Sequence, residues 1–186
     1  MDKVVLGLDV STTCTGFVVV TGDATVTQRL HMSHVDFKEC RTFWEKVDKI
    51  RKHFVTLKET TSCVDHVFVE EPLMGFRTGM SSATTITTLM RFNGIVSMLA
   101  REAYGHDPEY IGSAHARKLC GVKLQQKIKC GLGHKEQTFT FMAEHDLKDV
   151  VWERKKRSNK IVDWAGDVVD AYVIARAGLI TAVTSV

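Results

Sequence analysis

The chain contains no uninterrupted apolar run of the roughly eighteen residues that a membrane-crossing helix needs, so no such span is expected. No charged and apolar leader precedes its first strand-like segment, so no secretory signal is expected either. Disulfide scaffolding is excluded on similar grounds. The five cysteines, at positions 14, 40, 63, 120 and 130, are odd in number and include no Cys-x-x-Cys pair. Free thiols in a reducing cytoplasm are the expectation. His115, Cys120, Cys130 and His134 crowd into one stretch but match no zinc-ligand spacing, and read as scattered structural residues. There is no internal repeat and no low-complexity tract.

What is present is enough for one sizeable core. With 186 residues, 44% hydrophobic and 25% charged, a single domain spanning 1–186 is expected. The net charge of +3 is unevenly spread: residues 115–160 carry +7 and the remainder −4. The basic third suits a polyanion held by its backbone, with Lys155, Lys156 and Arg157 as its densest cluster; the competing interpretation is a solvated surface.

The element order predicts an α/β fold. Residues 3–9 and 15–21 read as strands joined by a polar turn, and Thr21-Gly22-Asp23 is a hairpin signal leading to a third strand at about 24–31. Asp36 with Glu39 resembles a capping box that opens a helix to about Lys58. A strand at 64–70 follows, then a loop broken by Pro72 and Gly75, a helix from about Ser82 to Tyr104, and a short strand near 110–112. Ser113 caps a short helix to Leu119, residues 121–133 read as a loop, and helices are expected at about 135–146 and 165–182. A meander followed by alternating helices and strands implies one mixed sheet covered by helices.

Four acidic residues stand out on this frame. Asp9 and Glu70 end apolar runs, and Asp167 and Asp170, three apart, share a face near the start of the last helix. Carboxylates so placed are costly to bury unless a cation neutralises them. Two divalent ions gathered by all four would do so, and would activate a water against a phosphodiester. Taken singly, each has a plainer interpretation: a turn-forming Asp9, a solvated Glu70, helix-dipole acids at 167 and 170.

The motifs Gly7-Leu8-Asp9-Val10-Ser11-Thr12, Val69-Glu70-Glu71-Pro72 and Asp167-Val168-Val169-Asp170-Ala171 resemble those of the RuvC-type Holliday junction resolvases. The resemblance spans nearly the whole chain, and Ser11-Thr12-Thr13-Cys14-Thr15-Gly16 is similar to the phage-encoded branch, which would act in the host cytoplasm. It implies a ribonuclease H-like fold with a mixed five-stranded sheet flanked by helices. It also implies a magnesium-dependent endonuclease that resolves branched DNA by paired symmetric nicks. Asp9 would bridge two Mg²⁺ ions, replaceable by Mn²⁺, with Glu70 on one side and Asp167 and Asp170 on the other. Lys135 matches a lysine that assists near the scissile phosphate, and Arg117 with Lys118 a second basic position. Phe76, with Arg77 beside it, is placed where the family has a junction-opening aromatic, and Glu71 is left outside the metal set.

Cutting opposed strands of a four-way junction takes two active sites, so a twofold homodimer is expected. The helix at about 82–104 carries Ile86, Leu89, Met90, Ile95, Met98 and Leu99, more apolar residues than one core-facing stripe requires. The alternatives are a relative cleaving RNA–DNA hybrid or structured RNA, a non-catalytic junction-binding module, and a phosphate-binding ATPase. The last needs a second glycine-rich loop that this chain lacks.

Overall fold

In a computed structural model, which describes residues 2–61, 63–72 and 82–184, the first three apolar segments pair as an antiparallel meander. They are β1 (Lys3–Asp9), β2 (Cys14–Gly22) and β3 (Thr27–Asp36). The β2–β3 turn depends on Gly22, whose φ of 135° is closed to most side chains. It is tightened by Asp23, whose Oδ1 accepts from the backbone N–H groups of Thr25 and Val26. α1 (Phe43–Thr60) then crosses over to β4 (His66–Glu70), which lies parallel to β1. α2 (Ala83–Tyr104) leads to β5 (Glu109–Ile111), parallel to β4. The finished sheet runs β3-β2-β1-β4-β5. α3 (Ser113–Leu119), α4 (Lys127–Cys130), α5 (His134–Glu144) and α6 (Trp164–Thr184) complete the described chain.

Both faces of the sheet are covered, and the strands alternate accordingly. Leu6, Leu8, Phe17, Val19, Val67 and Val69 enter one core, with Ile50, Phe54 and Leu57 of α1 and Phe92, Val96 and Leu99 of α2. Val5, Val18, Val20 and Phe68 enter the other, beneath α6, with Ala116 of α3 and Met142 of α5. This two-sided burial explains why β2 reads as an unbroken apolar run rather than an alternating one. α6 is likewise sandwiched between the sheet and α3 with α5. Thirteen of its twenty-one residues are buried, leaving no solvated stripe.

Two sheet glycines set how closely α6 lies. A Cβ on Gly7 would stand 2.3 Å from the Ala175 backbone nitrogen and 2.5 Å from the Ala171 carbonyl oxygen. A Cβ on Gly16 would stand 2.3 Å from the Asp167 carbonyl oxygen. The helix backbone thus rests directly on the sheet at both points. On its outer side, the Asp146 carboxylate accepts from the Tyr172 hydroxyl at 2.9 Å and pairs with Arg176, tying α6 to the segment after α5.

Several boundaries differ from the sequence expectation. β3 runs to Asp36, because the ladder with β2 continues to the Cys14–Asp36 pair, and α1 therefore starts later. Asp36 is no helix cap: its Oδ1 accepts from the Lys38 backbone N–H, closing a turn. The capping box is instead Thr42 with Glu45, so Phe37 and Cys40 precede the helix. Ser113 is the first residue of α3, and Gly112 takes the cap position without a side-chain bond. The expected 121–133 loop contains the single turn α4.

If this close approach positions α6, Gly7→Ala should cost about 1–3 kcal/mol through overpacking against backbone that cannot yield. The measurement is the urea unfolding midpoint. An unchanged midpoint would show that α6 can shift without loss.

Candidate active site

The parallel pairing of β1 with β4 brings Leu8 opposite Val69, so the next residues, Asp9 and Glu70, end adjacent strands side by side. Asp9 also sits opposite Gly16, the glycine on which the Asp167 carbonyl rests. The same contact that seats α6 therefore delivers its first turns to the strand ends. Asp167 and Asp170 arrive there from the helix side.

The resulting cluster is mostly buried. Asp9 is 5% and Asp170 6% exposed. The Asp9 carboxyl lies against that of Glu70, and Asp9 Oδ2 is buried without a hydrogen-bond partner among the described residues. Burial, then the charge and hydrogen bond of Glu70, hold the Asp9 carboxyl well above the usual range, against the opposing pull of Lys135. The backbone carbonyl of Glu70 is held by Asn93 Nδ2 of α2 at 3.2 Å.

Two basic side chains balance the helix side. The Lys135 ammonium lies 3.2 Å from Asp167, 3.2 Å from Asp170 and 3.9 Å from Asp9. Its desolvation opposes the charge, but Asp9, Asp170 and Asp167 outweigh that and keep its pKa above the ordinary lysine value. Arg117 of α3 reaches Asp170 from the other side at 3.5 Å and is itself largely buried. Cys14, at the start of β2, is a further neighbour. Burial, then the negative charge of Asp167 beside it, push its thiol pKa far up, so it is a protonated thiol and not a thiolate nucleophile.

Among the described residues, no three His, Cys, Asp or Glu side chains form a ready-made metal cage. The donor chemistry nevertheless suits a hard divalent cation: four carboxylates converge, and a buried Asp9 oxygen lacks a hydrogen bond. Asp9, Glu70, Asp167 and Asp170 are the residues that could hold it.

No family model matches the chain, and no curated protein sequence matches it. Solved structures do. Thermus thermophilus RuvC superposes with a TM-score of 0.61 over 98% of this chain and 96% of its own, at 21% identity. T. thermophilus RuvC in complex with Holliday junction substrate gives 0.63 over 94% and 91%, at 18% identity. A yeast mitochondrial Holliday junction resolvase gives 0.53 over 94% and 77%, at 11% identity. The fold is ribonuclease H-like.

Within this fold, the residues singled out from the sequence divide into three groups. Asp9, Glu70, Asp167, Asp170 and Lys135 come together, and Arg117 joins them. Arg117 was grouped with Lys118 as a basic DNA-contact position. In the structure its guanidinium turns inward to Asp170, while Lys118, one residue on, is exposed. Lys155 is ion-paired with Asp163, 2.7 Å from either oxygen. Lys156 and Arg157 are exposed at the tip of a loop closed by the Arg154–Ile161 bridge. Phe76 and Arg77 lie outside the described residues. Glu71 points elsewhere: its Oε2 lies beside Gly112, at the start of α3.

Sequence reasoning missed two neighbours. Cys14 stands five residues beyond Asp9, and nothing in its surroundings marks it. His34 stacks on Trp164, with ring centroids 4.1 Å apart and planes 8° from parallel, bracing the start of α6 against β3. A tryptophan three residues before Asp167 was the available signal.

Because Arg117 and Asp170 are both largely buried, Arg117→Met should leave part of the Asp170 charge unbalanced and cost about 1–3 kcal/mol. Thermal unfolding with divalent ions removed reads this directly. An undiminished melting temperature would mean that Lys135 alone suffices.

Proposed function

We propose that this chain is a divalent-metal-dependent endonuclease that cuts branched DNA, above all four-way junctions, by paired symmetric nicks. The observation that carries the reading is the convergence of Asp9 and Glu70, from two strand ends, with Asp167 and Asp170, from one helix. When bound, two Mg²⁺ ions, replaceable by Mn²⁺, would activate a water and stabilise the leaving oxygen, so that cleavage leaves a 5′-phosphate and a 3′-hydroxyl. The substrate class rests on the structural likeness to a RuvC solved with a Holliday junction substrate.

The protein's own residues then have distinct tasks. Asp9, Glu70, Asp167 and Asp170 would hold the ions between them. Arg117, 3.5 Å from one Asp170 oxygen, would hold that carboxylate in orientation for the site. Lys135, whose side chain is 62% exposed, can reach outward to a substrate phosphate. Lys118, Lys156 and Arg157, all exposed, suit backbone contacts to DNA, which position a duplex without reading bases.

Two cuts on opposed strands call for two copies of the site, and α2 offers a face for a twofold contact. Its inner side is occupied by Phe92, Val96 and Leu99, but Met90 and Met98 remain 42% and 48% exposed. Ile86, Leu89 and Ile95 are half-buried beside them. Leu99 belongs to the core and is not available for such a contact.

Asp9→Asn and Glu70→Gln should each lower magnesium-dependent junction cleavage by at least about 10²-fold while leaving junction binding intact or tighter. Full cleavage by either variant would sink the assignment. Running four-way junction, duplex, flap and RNA–DNA hybrid side by side separates this reading from a hybrid-cleaving one, in which the hybrid would be cut preferentially.

In sedimentation at micromolar concentration without DNA, the unmodified protein should run as a dimer, and Met98→Glu as a monomer. A monomeric parent protein that still nicks symmetrically would show the α2 contact to be wrong.

A further inference from the structure

The site holds a cation already, and it belongs to the protein. Lys135 is the second residue of α5, at the end of a helix where the backbone dipole disfavours positive charge. Nothing local to α5 rewards a lysine there. Glu136, its neighbour, completes the helix cap by accepting from the Gly133 backbone N–H at 2.7 Å and leaves Lys135 free to point away. What rewards it is the triangle of Asp167, Asp170 and Asp9 at 3.2, 3.2 and 3.9 Å.

The distances divide the site into two unequal halves. On the helix side, Asp170 has Lys135 at one oxygen and Arg117 at the other, and Asp167 has Lys135. On the strand side, among the described residues, Asp9 and Glu70 have no cation nearer than Lys135 at 3.9 Å from Asp9, and Asp9 Oδ2 is buried without a hydrogen bond.

Resting on the metal-centre reading given above, we propose that Lys135 is the resident counter-ion of the metal-free site and competes with the divalent cation for the same carboxylates. A +2 ion and an ammonium cannot share oxygens at this range without strong repulsion. Loading therefore displaces Lys135. Its side chain is long, 62% exposed and anchored on a short helix preceded by Gly131 and Gly133, so it can swing outward without unfolding anything.

The test uses the full chain without DNA, with Mn²⁺ as the probe in titration calorimetry, on the unmodified protein, K135M and K135R. K135M removes the competing charge and should bind Mn²⁺ about tenfold more tightly, about 1.4 kcal/mol. K135R keeps the charge and should stay near the parent value. Thermal unfolding gives a second readout: K135M should melt below the parent protein without metal and regain the difference at saturating Mn²⁺. If K135M does not fold, K135Q replaces it in both measurements. Mn²⁺ binding that is equal or weaker in the charge-neutral variant overturns the proposal while leaving the metal-centre reading standing. Failure of all variants and the parent to bind Mn²⁺ removes that reading itself, and this inference with it.

Discussion

Carboxylates forced together away from water are the constraint around which the rest of this molecule is organised. Asp9 and Asp170 are almost fully buried, and Asp9 lies against Glu70. Each would be expensive alone, and their mutual repulsion adds to the cost. The protein meets it with two basic side chains from separate helices, Lys135 on α5 and Arg117 on α3, which converge on the Asp170 side. The Asp9–Glu70 side is left under-compensated.

Such a cluster persists only if its scaffold does not relax. Like-charged carboxylates would otherwise push one another apart. The rigidity comes from packing that leaves no slack: α6 rests backbone to backbone on Gly7 and Gly16, with the sheet filled from both faces. Strand ends and helix start are thereby fixed relative to each other by contacts that no side-chain rearrangement can absorb. The His34–Trp164 stack and the Asp146 pair with Arg176 hold α6 from the sheet side and from its outer side. Stability of the fold and strain of the site are in this sense the same set of contacts.

The order of the strands and longer helices, the mixed sheet and the candidate carboxylates were legible in the sequence, while the single turn α4 was not. Apolar runs ending in Asp9 and Glu70 are strong local signals, and a three-residue spacing on a helix needs no tertiary knowledge. The start of α1 was misplaced because Asp36 and Glu39 satisfy a capping pattern that the β2–β3 ladder overrides. The hairpin ladder between β2 and β3 outcompeted the local cap. Arg117 and Lys118 were indistinguishable as a basic pair, yet one residue of helix rotation sends the first inward to Asp170 and leaves the second in solvent.

The sequence by itself therefore determined which chemistry is available: four hard oxygen donors, a basic third and an α/β frame to carry them, because these depend on residue type and short-range periodicity. Only the tertiary structure decided how the charges are partnered. That Lys135 sits among three carboxylates, that Arg117 holds one of them, and that Lys155 is neutralised by Asp163 depend on distances between segments. Electrostatic energy falls steeply with separation and with exposure to water. A charge acquires its role from what lies within a few ångströms of it, and the folded chain alone sets that.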